Sequence, residues 1–506
     1  MSFFSRKTRP ATSGRSLSRT CRLQLEMLED RCLLSAGALD TTFDFDGKVM
    51  TPIGSREDTA SAVSIQADGK IVAGGSATIV AKNGSYASHY AVARYNSNGS
   101  LDNSWSSDGK VTTAWGSDNG DAKGIAVQGD GKVVQAGIVR SARTGNNDIG
   151  LVRYTSSGGL DGSFGKSGKV RTRFVSNSVD NRANAMVLQG SKIVIGGHLS
   201  PDFMDDDMAL MRFNSNGTVD TTFGNGGTAR VTVGAGTVDT INAMTIDGSG
   251  KLVVAGTTYT PGVGYDFVLA RFDANGNLDA TFGNQGLVVT DLNGGGGDVA
   301  LAITIQPDGN IVAAGTYTDA SGFPDVALAR YLPSGSLDTT FGTNGIVITD
   351  IAGTQLSVAQ SVVYQGGRLV VGGFVHGISR DSLLARYQSN GALDSTFGVN
   401  GIVSTDFQGG GDSGSGLALQ PDGKLVLAGS ANNGSNSDFA LARYEGDAPL
   451  QAATAAPNPS AELLTDSQVQ PLLSEARARW QAAGFDVTGL GNLDIRIADL
   501  GGATLG

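Results

Sequence analysis

One short segment that returns seven times constrains this chain more than any other feature. The segment LDTTFG, or a close variant, begins at Leu39, Leu101, Leu160, Val219, Leu278, Leu337 and Leu393. These starts are 62, 59, 59, 59, 59 and 56 residues apart. A period on this scale is typical of solenoids, arrays and propellers, because one repeat is a unit that buries its apolar surface only against its neighbours.

Each repeat contains four short runs with strand character. In the fifth copy they cover residues 301–306, 310–315, 325–331 and 345–351. Asp308-Gly309 separates the first two runs, and Asp-Gly is a strong signal for a two-residue hairpin. Four strands joined by hairpins form one propeller blade. The sequence therefore predicts an all-β, seven-bladed propeller of four-stranded blades over residues 38–447.

A family resemblance agrees with this prediction. The composite LDxTFGxxGIVxTD…ALQPDGKIVVAG…DFALARY, which recurs across residues 39–446, resembles the delta-60 repeat of bacterial surface and secreted proteins. The resemblance implies a propeller fold. It implies no defined activity.

The order of strands within a blade follows from side-chain size. The run before each Asp-Gly turn carries a small residue, as at Ala62, Gly124, Ala185, Ala243, Ala302, Ser361 and Gly416. Inner strands crowd around a propeller axis, so we assign this run as the inner strand. The seventh copy then lacks an outer strand after Tyr444, whereas residues 47–53 have no blade before them. Pairing these two segments closes the ring and removes two exposed sheet edges.

An Arg–Asp pair recurs in every copy. In six copies an Arg lies eight residues before the Asp of the next motif. Arg443 has Gln451 at that offset, so ring closure predicts Asp40 as its partner. The predicted pairs are Arg94–Asp102, Arg153–Asp161, Arg212–Asp220, Arg271–Asp279, Arg330–Asp338, Arg386–Asp394 and Arg443–Asp40. A buried Arg needs a partner to offset its lost hydration, which favours structural ion pairs over the alternative of a ligand-binding ring of guanidinium groups.

The sequence offers few catalytic residues. His89, His198 and His376 are the only histidines, and they fall at unmatched repeat positions. No Ser/His/Asp signature or phosphate-binding loop stands out. We therefore predict neither a catalytic residue nor an organic cofactor.

Calcium is the one metal that the residues favour. Asp-bearing loops precede the inner runs at Asp58, Asp121, Asp180, Asp239, Asp298 and Asp412. Two of these loops, 294–298 and 409–412, are glycine runs that end in Asp298 and Asp412, and Ca²⁺ prefers oxygen ligands. Asp298 and Asp412 are thus candidate calcium ligands, with ordinary turns as the competing interpretation.

Charge limits the partners. Residues 1–37 carry seven basic and three acidic side chains, a charge of +4. The net charge of the whole chain is −11, so residues 38–506 carry −15. Such an acidic body does not attract nucleic acid. No apolar run approaches the roughly 18 residues that span a bilayer. Both cysteines, Cys21 and Cys32, lie in the leader, so a cysteine-based zinc site is excluded from the repeats.

The two ends of the chain differ from the repeats. Residues 25–34 of the basic leader resemble the LEPR-XLL motif of planctomycete-type envelope proteins, with Asp30 where the motif has Pro. That resemblance implies export; a disordered basic tail with a short helix is the alternative. After an Ala/Pro-rich linker (448–462), residues 463–506 read as a truncated helix–strand module.

These observations favour a monomeric, non-enzymatic propeller in the extracellular space or cell envelope. Its partners would be surface macromolecules or glycans. A metal-dependent hydrolase or lactonase-like propeller with a site in its central channel is one alternative. A purely structural envelope component is the other.

Overall fold

The computed structural model describes residues 36–447, except 177, 179, 201–205, 293, 295, 319–321, 352–355 and 378. These residues form 28 strands, and no helix occurs among them. The predicted leader, linker and helix–strand module therefore lie almost wholly outside the described residues.

The strands fall into seven repeats of four. In chain order they are β1 (Lys48–Thr51), β2 (Asp58–Ile65), β3 (Ile71–Val80), β4 (Tyr86–Tyr95), β5 (Lys110–Thr113), β6 (Asn119–Val127), β7 (Val133–Arg140), β8 (Asn147–Tyr154), β9 (Lys169–Thr172), β10 (Asp180–Gln189), β11 (Lys192–Ser200), β12 (Asp207–Phe213), β13 (Thr228–Val231), β14 (Val238–Ile246), β15 (Leu252–Thr260), β16 (Gly264–Phe272), β17 (Leu287–Thr290), β18 (Val299–Ile305), β19 (Ile311–Thr318), β20 (Pro324–Tyr331), β21 (Ile346–Thr349), β22 (Ser357–Gln365), β23 (Arg368–His376), β24 (Arg380–Tyr387), β25 (Ile402–Thr405), β26 (Ser413–Leu419), β27 (Leu425–Asn432) and β28 (Ser437–Tyr444).

The strands pair into seven antiparallel four-stranded sheets, which confirms the predicted seven-bladed propeller. From the inner strand outward, blade 1 is β2–β5, blade 2 is β6–β9, blade 3 is β10–β13, blade 4 is β14–β17, blade 5 is β18–β21, blade 6 is β22–β25, and blade 7 is β26, β27, β28 and β1. The two middle strands of a blade are buried on both sides because each blade packs between two others. Their sequences are accordingly near-continuous apolar runs, as in IVAAG of β19.

The predicted ring closure is confirmed. Strand β1 pairs antiparallel with β28, with Lys48 opposite Ala442 and Thr51 opposite Phe439. The junction extends further, because the Asp40 N–H donates to the Arg443 carbonyl oxygen at 2.9 Å. Blade 7 is thus assembled from both ends of the repeat region.

The strands that carry the small residues are the inner strands of the blades, as predicted. Each one contacts the inner strands of both neighbouring blades. Space there is short, since a Cβ atom built on Gly416 would lie 2.9 Å from the Cα atom of Ala62. Every inner strand also contains a β-bulge, as between Ile241 and Ala243, that the sequence did not reveal.

The apolar core consists of seven clusters, one between each pair of neighbouring blades. The aromatic residue of each repeat motif lies in one of them. Phe341, for example, is fully buried between blades 5 and 6. Each blade therefore depends on its neighbours for burial of its apolar surface.

Strand direction gives the propeller two faces. We call the side with the Asp-Gly turns and the LDTTFG-type segments the turn face. The opposite side, the crossover face, holds the loops from second to third strand and the crossovers from one blade to the next, such as residues 52–57.

Candidate functional site

The seven repeated arginines lie on the turn face beside their aspartates. The shortest Arg–Asp nitrogen–oxygen distances are 2.6–2.9 Å. Arg443 Nε lies 2.6 Å from Asp40 Oδ2, across the closed junction. All of these side chains are 0–10% exposed, so we interpret the pairs as structural.

Each guanidinium has further partners inside the protein. It lies over the motif aromatic, with distances to the ring centroid of 4.5–5.5 Å. In six blades it also donates to a backbone carbonyl of the next blade, as Arg271 Nη1 does to Pro333 O at 2.6 Å. We call this arrangement of Arg, Asp and aromatic the latch. These contacts favour a structural role over a ligand-binding one.

A second cation joins six of the latches, and the sequence analysis missed it. The residue after each Asp-Gly-type turn pairs with the latch aspartate through Lys70, Lys132, Lys192, Lys251, Arg368 or Lys424. In blade 5 this position is Asn310. The recurring Lys after Asp-Gly was the available signal. Although burial alone would raise it, hydrogen bonds from Lys424 and Thr42 hold the pKa of Asp40 at about 2.

The candidate functional site is on the crossover face, where the structure brings each predicted calcium ligand together with two further aspartates. Asp298 meets Asp266 and Asp291 at the junction of blades 4 and 5; we call this triad 1. Asp412 meets Asp381 and Asp406 at the junction of blades 6 and 7, which is triad 2. In each triad, one carboxylate oxygen per residue lies within 4.8 Å of the other two.

The repeat itself positions these side chains. Asp266 is near the start of a third strand, Asp291 directly follows the outer strand β17, and Asp298 directly precedes the next inner strand β18. Asp298 Oδ2 accepts the N–H of Leu292 at 2.9 Å and so holds the crossover loop closed. Asp412 does the same for Phe407 at 2.7 Å. Each triad thus combines carboxylates from a third strand, from the end of an outer strand and from the start of the next blade.

At two other junctions, an arginine of the protein pairs with the aspartate that is equivalent to Asp266. At the junction of blades 2 and 3, Arg173 stands where Asp291 stands in triad 1, and it pairs with Asp148 at 2.6 Å. At the junction of blades 3 and 4, Arg230 pairs with Asp207. The residue equivalent to Arg230 in blade 4 is Val289.

Two carboxylates of triad 1, those of Asp266 and Asp298, have no ion-pair partner within the described residues. Burial, together with the charges of Asp291 and Asp266, raises the pKa of Asp298 to about 6. Asp298 is 1% exposed, and although the Thr318 amide is nearby, no donor in the described part of the chain makes a hydrogen bond of ordinary geometry to its Oδ1. A bound cation would supply the missing partner.

Triad 2 differs in its surroundings. Hydroxyl groups of Ser379 and Ser404 donate to Asp381 at 2.8 and 3.2 Å. Arg380 Nε donates to the Asp412 carbonyl at 3.2 Å, which places one cation nearby. Burial still raises the pKa of Asp412, and Asp406 and Asp381 add to the effect.

The six loop aspartates named from the sequence do not all occupy equivalent positions in the structure. Asp58, Asp239, Asp298 and Asp412 occupy equivalent positions two residues before the bulge. Asp121 and Asp180 do not, because their blades place Gly120 and Asn181 there. The loop sequences alone do not reveal that Asp121 and Asp180 are shifted by one residue, because this depends on the register of the sheet.

Calcium is expected to stabilise the fold in a pH-dependent way. The pKa of Asp298 is raised from 3.8 to about 6, so the folded chain binds more protons than the unfolded chain between these values. Without a cation, the contribution of Asp298 to stability is lost as pH rises through that window. We expect Ca²⁺ at a hundredfold excess over its Kd to add about 2.7 kcal/mol at pH 7.5 and much less at pH 4.5. Thermal unfolding with CaCl₂ or chelator at both pH values measures this; equal effects at both would contradict it.

The repeats match a known family. Residues 66–104, 128–164, 191–223, 248–282, 306–341, 367–397 and 420–447 match a family described as a β-propeller domain of unknown function, DUF5122. No curated protein sequence matches the chain. Among the described residues, none lies in a helix long and apolar enough to cross a bilayer.

Several solved structures are similar to this chain at low identity. A protein of unknown function from Dyadobacter fermentans is 11% identical with a TM-score of 0.44, over 79% of this chain and 98% of that one. The propeller domain of the Trilobed protease from Pyrococcus furiosus is 10% identical with a TM-score of 0.39, over 80% and 99%. A polysaccharide lyase, an ulvan lyase, is 11% identical with a TM-score of 0.43, over 79% and 96%. Likeness at this level carries no argument about activity.

Proposed function

Because this chain is a repeat β-propeller protein, we propose that it is a non-enzymatic, calcium-dependent binding module of the extracellular space or cell envelope. Its crossover face would contact surface glycans or other macromolecules. The observation that carries this proposal is triad 1, a set of three converging carboxylates where other junctions hold an arginine. Carboxylate oxygens are the ligands that Ca²⁺ prefers in proteins.

Location rests on other features. The resemblance of the repeats to delta-60 repeats and of residues 25–34 to the LEPR-XLL motif supports export. Extracellular fluids also supply calcium at concentrations that weak sites can use, since extracellular modules bind it at about 10⁻⁴–10⁻³ M.

The test is capture of envelope material with and without calcium. We expect the full chain to retain envelope glycans or proteins in CaCl₂, and to release them in chelator. The double variant Asp291→Asn/Asp406→Asn should lose capture and calcium binding by calorimetry. Asp350→Asn is the matched control, because at its junction the buried Ser357 replaces the third carboxylate. The proposal would be refuted if chelator did not reduce the amount of envelope material captured, or if the double variant captured as much as the parent.

A hydrolase remains the second candidate, and one cluster favours it. In blade 3, His198 Nε2 lies 3.6 Å from Asp206 and 4.0 Å from Asp180. Burial lowers the pKa of His198, which keeps the imidazole neutral and able to bind a metal. Metal-dependent lactone or ester hydrolysis that disappears in His198→Ala would support the hydrolase. Absence of both capture and hydrolysis would leave a structural envelope component.

A further inference from the structure

Basic residues are distributed unevenly over the crossover face. Blade 2 and its junction with blade 3 carry five arginines on this face, at positions 140, 143, 171, 173 and 182. Between residues 193 and 447, by contrast, Arg230 and Arg380 are the only Lys or Arg residues besides the latch arginines and the second cations that join the latches. Asp118, Asp121, Asp148 and Asp180 lie among these arginines, so the region has a local excess of one positive charge on a protein that is acidic as a whole. A local excess of positive charge attracts anions even when the net charge is negative. Blade 2 is therefore one part of this acidic propeller that can receive an anion.

A cavity of about 370 Å³ lies within this basic region. It crosses the crossover face of blade 2, from Ser88 of blade 1 to Asp180 and Arg182 of blade 3. Asp121, Arg140 and Asn147 line it between these ends. Its size is at the lower end of the range for small-molecule sites, about 300–1,000 Å³, and suits a ligand of one or two sugar rings.

The floor of this cavity is held in place by hydrogen bonds. The buried Asn147 donates from Nδ2 to Asp180 Oδ1 at 2.6 Å. Arg182 Nε donates to Asp180 Oδ2 at 3.0 Å. Asp180 is 5% exposed, so this carboxylate is fixed between the two donors. A ligand would meet preorganised polar groups there, which lowers the entropic cost of binding.

Arg140 supplies a charge that the protein does not use. Its side chain is exposed and forms no ion pair with any residue in the described ranges. Arg171, Arg173 and Arg182, in contrast, all pair with aspartates. A free guanidinium at the rim of a polar cavity fits a carboxylate, which it can bind through two parallel hydrogen bonds.

We propose that this cavity binds a carboxylated saccharide, with the sugar carboxylate on Arg140 and hydroxyl groups on Asp121, Asp180 and Asn147. Hydroxyl groups both donate and accept, so they suit a lining of mixed carboxylate, amide and guanidinium groups. The lining offers one large apolar side chain, Ile138, which leaves little to anchor a peptide. This site is separate from the two triads and does not depend on calcium.

The experiment is calorimetric titration of the full chain with trigalacturonate, an acidic trisaccharide, and with maltotriose, a neutral one. We expect binding of trigalacturonate alone, unchanged by chelator. Arg140→Gln should weaken it about tenfold or more, because a hydrogen bond to a charged group is lost. Arg140→Lys should recover part of the affinity. Lys82→Gln, an exposed cation of the same face outside the cavity, is the matched control.

Three results would overturn this proposal. They are no binding of trigalacturonate, equal binding of maltotriose, and binding that Arg140→Gln does not change. Preferential binding of a peptide with a free C-terminal carboxylate would reassign the cavity to peptides. Loss of trigalacturonate binding in chelator would also count against it, because the cavity is independent of the triads. Failure of calcium binding, in turn, would refute only the proposed function.

Discussion

Replacement of Asp40 by Ala is expected to lower the free energy of unfolding by about 3–5 kcal/mol, the usual cost of breaking a buried ion pair. Asp40 is fully buried and lies 2.6 Å from both Arg443 Nε and Lys424 Nζ. Its removal leaves Arg443 without its ion-pair partner, leaves Lys424 with Glu445 alone, and weakens the junction that closes the ring. Urea unfolding of the parent and variant measures the difference.

Asp338→Ala is the matched control for this prediction. Asp338 pairs with Arg330 at 2.8 Å in blade 5, where Asn310 replaces the second cation and the chain is continuous. Its loss should destabilise the fold less than the loss of Asp40. A variant of Asp338 as unstable as that of Asp40 would show that ring closure adds nothing to the latch.

The same latch defines an acid limit. The pKa of Asp40 is held at about 2, below the 3.8 of an ordinary Asp, so its stabilising effect is present above pH 3.8. That effect is lost as the pH falls toward 2. The other latch aspartates are shifted in the same direction, and their contributions disappear in the same acidic range.

Gly256→Ala is expected to destabilise the protein by about 3 kcal/mol or more, at or above the upper end of the usual overpacking cost. A Cβ atom at this position would lie 1.7 Å from the carbonyl oxygen of Thr240 and 3.0 Å from the Cα atom of Ile241. These are backbone atoms of the bulged inner strand, so no side-chain rotation relieves the clash. Thermal unfolding of the purified variant measures the loss.

Gly248→Ala, in the same blade, is the control for this substitution. Nothing lies within 4 Å of the Cβ atom it would add, and its φ is not positive. We expect its stability to stay within about 0.5 kcal/mol of the parent, as for ordinary surface substitutions. Similar losses in both variants would mean that the bulge is not the cause.

The repeat made most of the fold predictable from the sequence. Seven copies fixed the number of blades, Asp-Gly turns fixed the hairpins, and small residues such as Ala62 and Gly416 identified the inner strand. Because Arg443 has no Asp eight residues after it, Asp40 was predicted as its partner, although the two residues are 403 positions apart. These inferences succeed because each depends on spacing within a repeat.

The candidate site was only partly predictable, because it depends on contacts between neighbouring blades. Asp298 was identified from its glycine-rich loop, but its association with Asp266 and Asp291 depends on how three chain segments meet at one junction. The position of Asp121 relative to the bulge, one residue closer than that of Asp298, has no signature in the sequence. The cavity beside Arg140 joins residues of three blades and has no linear motif at all.

Blade 7 also has a mechanical consequence. The Gly37 N–H donates to Glu445 O at 2.6 Å, so the two ends of the described chain leave the ring side by side on one blade. Tension between them would act on the pairing of β1 with β28 and on Arg443–Asp40, while blades 1 to 6 bear no load. Under pulling, the propeller should therefore open at that single seam before any other blade unravels.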